Sequence, residues 1–221
     1  MGVADLIAAI KVRDAGRVQA LLDQDPGLVH IHSSDGESAV LTAVYYGARE
    51  IRDLLLSRGA VLDLHEAAAV GDAGRIQALL ATGEVAVDAY AADGFTALAL
   101  SAYFGHLEAA RALLGAGASV RARAHNGLDN TPLHAATAGR HSDLAALLLT
   151  AGAPVGEQDG AGWAPLHLAA DNGDLRIITL LLEYGADVSQ RGPGGETPLA
   201  KAEQKGHTAA LDLLRSHGAT Q

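Results

Sequence analysis

Histidine and acidic side chains occur close together at one point near the start of the chain. His30 and His32 alternate, so both could point to one face of an extended segment, and Asp35 follows them. Two histidines at this spacing can begin a metal site, because imidazole nitrogens are common zinc ligands. A zinc site needs a third or fourth protein ligand, and none is evident nearby. The pattern therefore favours a solvated turn, and we expect no bound metal.

Two further segments hold the beginning of a catalytic or phosphate-binding motif and lack its end. His65-Glu66 could open a zinc-protease helix, but Ala69 stands where the second histidine must be. Residues 192–195 read Gly-Pro-Gly-Gly, without the Lys-Ser/Thr that completes a phosphate-binding loop, and indicate a tight turn. The chain has no cysteine, and no serine lies in a nucleophile-elbow sequence. The sequence thus predicts that the protein is not an enzyme and has no cofactor.

The elements that must position these residues are repeats. The segment Thr-Pro-Leu-His-Ala-Ala spans residues 131–136, and degenerate copies span residues 164–170 and 197–202. Each copy precedes a Leu-Leu pair and then Gly-Ala. The glycines at 83, 117, 152, 185 and 218 recur every 33 to 35 residues, whereas Gly59 precedes Gly83 by only 24. Repetition at about 33 residues is typical of a stacked array with no single enclosed core or cleft.

On this motif and spacing, the chain resembles the ankyrin repeat family from end to end. The resemblance implies an all-α ankyrin-repeat solenoid of about seven helix-turn-helix units with short β-hairpin fingers, all within one domain at residues 1–221. In that family the motif histidine ties neighbouring loops together. His65, His134 and His167 match this position, and we interpret them as structural.

One repeat boundary is irregular. Residues 14–22 return as residues 72–80, so units one and two look like a tandem duplicate of units three and four. Only four residues separate Gly59 from Leu64, which leaves no room for a finger there. Asp63 and Glu66 have the spacing of a capping box. We expect one continuous solenoid with a seam at residues 59–63, between units one and two (1–58) and units three to seven (64–221).

The resemblance also implies where a partner would bind: on the concave face and the finger tips. Six of the eight aromatic residues fall at such positions, and aromatic side chains are enriched at protein interfaces. The two aromatic pairs, one in unit two and one in unit four, are expected roughly 20 Å apart from helix spacing. These rings could instead only cover the inner surface, and both interpretations stay open. The predicted protein-binding residues are Tyr45, Tyr46, Ala69, Val70, Phe95, Tyr103, Phe104 and Trp163.

Charge narrows the class of partner. The net charge of −10 argues against nucleic acid and anionic membranes, which attract basic surfaces, and permits a basic protein. No segment reads as a membrane span or a secretory signal, so we expect a cytoplasmic protein. Polar residues in the first and last units predict terminated ends and a monomer. Abundant Ala and Arg favour a bacterial origin.

The sequence therefore predicts a protein–protein interaction module whose partner is another protein. A narrower alternative is a dedicated inhibitor, or an immunity or accessory protein of a toxin or stress enzyme, since an acidic protein suits a basic target. A remote alternative is an enzyme with a site on the concave face.

Overall fold

The protein is all-α. The computed structural model describes residues 2–32 and 36–220, so Asp35 lies outside the described residues. None of the helices in these ranges is long and apolar enough to cross a membrane. The fourteen α-helices of the described residues are α1 (Val3–Lys11), α2 (Ala15–Gln24), α3 (Ala39–Tyr45), α4 (Arg49–Ser57), α5 (Leu64–Val70), α6 (Ala73–Ala81), α7 (Ala97–Phe104), α8 (Leu107–Gly115), α9 (Pro132–Ala138), α10 (Ser142–Thr150), α11 (Pro165–Asn172), α12 (Leu175–Glu183), α13 (Pro198–Lys205) and α14 (Thr208–Ser216).

The helices pack as consecutive pairs, from α1 with α2 to α13 with α14, and the pairs stack in two layers. Odd-numbered helices contact one another along one layer, and even-numbered helices form the other. Each helix has only 7 to 10 residues, too short to be stable alone in water. Stability therefore comes from stacking. The motif leucines Leu98, Leu133 and Leu166 are at most 1% exposed, and each such burial stabilises by about 2 kcal/mol.

Local sequence explains where the helices begin and end. The hydroxyls of Ser38, Thr96 and Thr197 accept backbone N–H groups in the first turns of α3, α7 and α13, which satisfies donors that have no partner within the helix. Proline occupies the first turn of α9, α11 and α13, where a missing N–H costs nothing. The turns after the even-numbered helices from α4 to α14 use left-handed glycines, such as Gly152 at φ 87°.

The motif histidines tie neighbouring units together, which confirms their structural interpretation. The Nε2–H of His65 donates to the Ala89 carbonyl at 2.8 Å, that of His134 to Trp163 at 3.0 Å, and that of His167 to Glu196 at 3.2 Å. Each histidine therefore joins its own helix pair to the connection that precedes the next odd-numbered helix.

The connections that precede the odd-numbered helices are here called fingers. The β-hairpins expected for them are not confirmed, since the described residues contain no β-strand and only an isolated bridge between Tyr90 and Thr96. The fingers before α7 and α13 are tight turns closed by backbone hydrogen bonds, such as Ala91 N–H to Phe95 O at 2.9 Å and Gly192 N–H to Glu196 O at 2.8 Å. Short turns suffice because adjacent fingers also bond to each other.

The irregular boundary lies where the spacing predicted it. Residues 58–63 connect α4 directly to α5, and no finger precedes α5. The predicted capping box is present: Asp63 accepts the Glu66 N–H at 2.8 Å, and Glu66 accepts the Asp63 N–H at 2.9 Å. A groove of about 640 Å³ opens between α4 and α6 on the other side of the same boundary. We call residues 59–63 of this connection the seam.

Candidate protein-binding surface

Three of the predicted binding residues form one aromatic cluster. The ring centroids of Tyr45, at the end of α3, and Phe104, at the end of α7, are 5.5 Å apart. Tyr103 packs edge-on against Phe104, with centroids at 5.1 Å and ring planes at 84°. Tilted and edge-on arrangements are the preferred ones for aromatic pairs, because ring edges are positive and ring faces negative. Tyr45, Tyr103 and Phe104 are called the aromatic cluster below.

The aromatic pairs of units two and four were expected to lie roughly 20 Å apart, and this prediction was wrong. The rings instead meet across α5. This helix ends in the short side chains of Ala69 and Val70, of which Ala69 is only 1% exposed. No finger stands before α5 to keep its neighbours apart. Small residues and the short connection together let rings from the first and third of three stacked pairs touch.

The exposed rings differ in how firmly they are held. Tyr45, Tyr46 and Tyr103 are 42%, 42% and 46% exposed, whereas Phe104 is half-buried. Tyr46 makes no ring contact within the described residues. Tyr46 is therefore the ring of this surface with the fewest contacts, whereas Tyr45, Tyr103 and Phe104 are held by contacts among their rings. Val70 lies half-buried at the end of α5.

Tyr45 is fixed at its polar end by a residue from a distant finger. Its hydroxyl donates to a carboxylate oxygen of Asp93, and Asp93 also accepts the Phe95 N–H at 3.1 Å. Loss of water around the hydroxyl, and then the bond to Asp93, raise the pKa of Tyr45 far above its usual range. The hydroxyl therefore stays protonated at physiological pH and donates a charge-assisted bond.

The structure does not bring Phe95 and Trp163 into the cluster. Phe95 is half-buried against the hydrophobic core. Trp163 lies two fingers further along the stack, where it contacts His167 at a centroid distance of 5.4 Å. The Lys201 ammonium lies 3.9 Å from the centre of the Trp163 ring, a cation–π contact. Trp163 is thus engaged within its own part of the stack.

A cleft beside the cluster contains residues that the sequence did not single out. It has a volume of about 570 Å³ and lies between α3, the start of α5 and the finger that precedes α7. Tyr90 and Asp93 line it, and the Tyr90 ring stacks on His125 at 3.7 Å. The duplication offered one signal, since Asp93 is the counterpart of Asp35 at an offset of 58. This cavity is called the seam cleft below.

Comparison with known proteins identifies the repeats. A protein-family model described as Ankyrin repeats (3 copies) matches residues 64–159, 121–192 and 140–221, more than half of the chain. The chain belongs to the ankyrin repeat family. Ankyrin repeats are generally protein–protein interaction modules, and the family is typically non-enzymatic. No curated protein matches the chain. Because the matched region begins at residue 64, the count of seven ankyrin units stays a prediction for the first two pairs.

One group in this ankyrin repeat protein has a composition that could hold a metal ion. Ligand atoms of His32, Asp63 and Glu66 lie within 4.8 Å of one another. Both carboxylate oxygens of Glu66 already accept hydrogen bonds, one from the Ser38 hydroxyl and one from the Asp63 N–H. These bonds join the finger before α3 to the start of α5. The buried Glu66 therefore has an observed structural task, and His30 is not part of the group.

Proposed function

We propose that this ankyrin repeat protein binds another protein through a surface made of the aromatic cluster and Tyr46. The observation that carries the proposal is the presence of three tyrosines, each 42 to 46% exposed, at the ends of α3 and α7, where the rings of Tyr45 and Phe104 meet across α5. The core around them is built from Leu, Ala, Val and Ile, so packing within the stack does not require exposed rings at these positions.

The proposed surface is prepared for binding. Tyr45 is held by Asp93, and Phe104 is held between Tyr45 and Tyr103. Rings that are already ordered lose little conformational entropy when a partner covers them, so more of the contact energy appears as affinity. Large, rigid aromatic side chains are also the commonest binding hot spots.

The charge of the protein favours a basic partner. The net charge is −10, and Asp93 lies directly beside the aromatic cluster. Complementary charge accelerates association and selects against acidic proteins. We therefore propose a partner that presents apolar and cationic side chains together.

The proposal separates residues that contact the partner from residues that support them. Truncation of Tyr46 or Tyr103 should cost binding about 1–4 kcal/mol per true hot spot. Tyr46 makes no ring contact among the described residues, so its truncation should cost folding little, whereas Tyr103 packs on Phe104 and its truncation should lower stability by about 0.5–1.5 kcal/mol. Tyr45 and Phe104 pack on each other, so their truncation should lower stability by about 1–3 kcal/mol. Tyr184 is equally exposed, at 45%, and lies far along the stack at the end of α12, which makes it a matched control.

The experiment compares three tagged proteins as baits in extracts of the native cell: wild type, Tyr46→Ala/Tyr103→Ala and Tyr184→Ala. A protein captured by wild type and by Tyr184→Ala, and lost with the double variant, is the expected result. The Kd of that protein for all three baits, and their urea unfolding curves, complete the test. If the double variant binds with unchanged affinity and unfolds more easily, the rings only cover the inner surface and the proposal fails.

A further inference from the structure

The seam cleft exists because one finger is absent. The finger before α3 and the finger before α7 approach each other over the gap: a Cβ atom built on Gly36 would lie 2.9 Å from the Cβ of Ala92. Asp63 and His65, at the start of α5, line the same cavity from below. The result is a cavity of about 570 Å³, within the range of pockets that bind small ligands or inserted side chains.

The lining of the seam cleft combines aromatic rings with carboxylates. Tyr45, Tyr46 and Tyr90 contribute the rings, and Asp63 and Asp93 contribute exposed or half-buried carboxylates. No lysine or arginine occurs among its described lining residues. The acidic side chain of Glu37, at the rim, is paired with Lys11 at 2.7 Å. Within the described residues, no lysine or arginine pairs with Asp63 or Asp93, and the basic ring of His32 has a nitrogen within 4.8 Å of a carboxylate oxygen of Asp63.

Asp63 is the carboxylate best placed to accept a new hydrogen bond. Its Oδ1 accepts the Glu66 N–H, and its Oδ2 has no hydrogen-bond or ion-pair partner within residues 2–32 and 36–220. Asp93, in contrast, accepts bonds from both the Tyr45 hydroxyl and the Phe95 N–H. Both oxygens of Asp93 therefore already accept a hydrogen bond. Of these two carboxylates, only Asp63 has an oxygen that accepts none from the described residues.

We infer that the seam cleft takes an arginine side chain from the protein partner, an inference that rests on the proposed function and names the chemistry of its anchor. The guanidinium group is planar, so it can lie against a tyrosine ring while its N–H groups donate in pairs to a carboxylate. Lysine offers only a compact point charge and gains less from flat rings. A cleft with tyrosine rings, the carboxylates of Asp63 and Asp93, and no lysine or arginine among its described lining residues suits arginine best.

The test uses the full-length protein and a defined probe. The ¹⁵N-labelled protein is titrated with N-acetyl-arginine amide, with N-acetyl-citrulline amide as the uncharged isostere, and with N-acetyl-lysine amide. For a ligand of this size we expect saturable chemical-shift changes with a Kd on the order of 1 mM. The changes should centre on the amides of Asp63, Tyr90 and Asp93. Citrulline amide should give none, and lysine amide should bind several-fold more weakly.

Matched variants test the carboxylate. Asp63→Asn removes the charge and keeps a residue that caps helices well, so the fold should be retained, and the Kd for arginine amide should rise about tenfold. Asp72 caps α6 through the Arg75 N–H at 2.8 Å and does not line the seam cleft. Asp72→Asn should therefore leave the Kd within about twofold of wild type, since that charge is remote and screened.

Several outcomes would overturn the inference: no saturable shifts, equal shifts with citrulline amide, equal or tighter binding of lysine amide, shifts centred elsewhere, or equal effects of Asp63→Asn and Asp72→Asn. These outcomes do not depend on the proposed function. A captured partner that is lost with Tyr46→Ala/Tyr103→Ala but binds Asp63→Asn normally would refute the arginine anchor and leave the proposed function intact. Specific binding of arginine amide without any captured partner would support the anchor alone.

Discussion

Fingers in the second half of the stack bond to one another, whereas those on either side of the seam meet across a gap. The His125 N–H donates to Gly94 O, and the Gly160 N–H donates to Leu128 O, both at 2.8 Å, so three successive fingers are linked. At the seam, the finger before α3 reaches past α5 to the finger before α7, and Gly36 approaches Ala92. Backbone bonds join the regular fingers, and side chains span the seam.

This contrast shows that the loss of one finger does more than remove the surface of that finger. It also creates a new surface between the neighbouring fingers. In the regular part, each odd-numbered helix lies behind its own finger, and aromatic residues such as Trp163 are occupied by local contacts. At the seam, the missing finger leaves a cleft of about 570 Å³ and lets Tyr45 meet Phe104. The irregular boundary thus holds the features that the regular repeats lack.

The largest expected effect comes from cutting the chain at the seam. Residues 62–221 should fold alone, because Asp63 and Glu66 already cap the first helix of that fragment. If each removed residue contributes the average stability per residue of a folded protein, removal of the first two pairs should lower the free energy of unfolding by about 3–9 kcal/mol. We expect a loss at the lower end of this range, because no finger joins the two parts at the seam. Urea unfolding followed by circular dichroism measures it.

The matching control is a cut in the regular part, which leaves residues 1–153. This cut breaks bonds between fingers as well as the packing between helices. The fragment 1–153 should therefore lose more stability per residue removed than the fragment 62–221. A fragment 62–221 without a cooperative transition would contradict independent folding. Equal losses per residue in the two fragments would contradict the difference between the seam and the regular array.

Three glycine substitutions compare the two kinds of finger contact. Gly94, Gly36 and Gly127 all have left-handed φ, at 81°, 79° and 80°, so alanine should cost each about 1–2 kcal/mol for conformation alone. At Gly127 no atom lies within 4 Å of an added Cβ, so Gly127→Ala measures the conformational cost by itself. At Gly94 the added Cβ would lie 2.7 Å from the backbone of His125, which should cost about 1–3 kcal/mol more.

Gly36→Ala should fall between the other two variants. Among the described residues, its added Cβ would meet only the Ala92 Cβ, on a finger that borders the open seam cleft, where we expect room to adjust. The free energy of unfolding of each variant in urea gives the order. A loss for Gly36→Ala as large as that for Gly94→Ala would show that the fingers at the seam are as tightly fixed as the regular ones.

The smallest expected effect is the pH response of a buried histidine in the regular part. His134 is 1% exposed and bonded through both ring nitrogens, and its burial lowers its pKa below the usual value. The unfolded chain then binds the proton more readily, so His134 lowers stability as the pH falls below about 6.5 and has no effect above it. One such proton changes the free energy of unfolding by at most about 1.4 kcal/mol per pH unit.

His134→Gln tests this assignment, because glutamine does not titrate. Urea unfolding between pH 5.5 and 8 should show a shallower loss of stability on acidification for the variant than for wild type. Between pH 7 and 8 the two curves should run parallel, at different heights. Identical slopes below pH 6.5 would show that other groups, such as His106 and His167, whose pKa values burial also lowers, carry the whole response.

Features that depend on neighbouring residues could be predicted from the sequence. The spacing of the Thr-Pro-Leu-His motif predicted the helix pairs, the shortened interval before Gly83 predicted the missing finger before α5, and the spacing of Asp63 and Glu66 predicted their capping box. The resemblance to ankyrin repeats implied the loop ties of His134 and His167, which join each unit only to the next. These features repeat at a fixed offset, so a pattern in the sequence records them.

Only the tertiary structure decided the arrangement at the candidate site. The bond from Tyr45 to Asp93 spans 48 residues, and the contact of Tyr45 with Phe104 joins pairs that are not adjacent in the stack. Their distance depends on how far a missing finger and the short side chains of α5 let the neighbouring pairs lean together. The sequence alone determined a stack of repeats with a shortened unit. The contact between units two and four across that unit depends on how three successive helix pairs are oriented, which no local pattern in the sequence specifies.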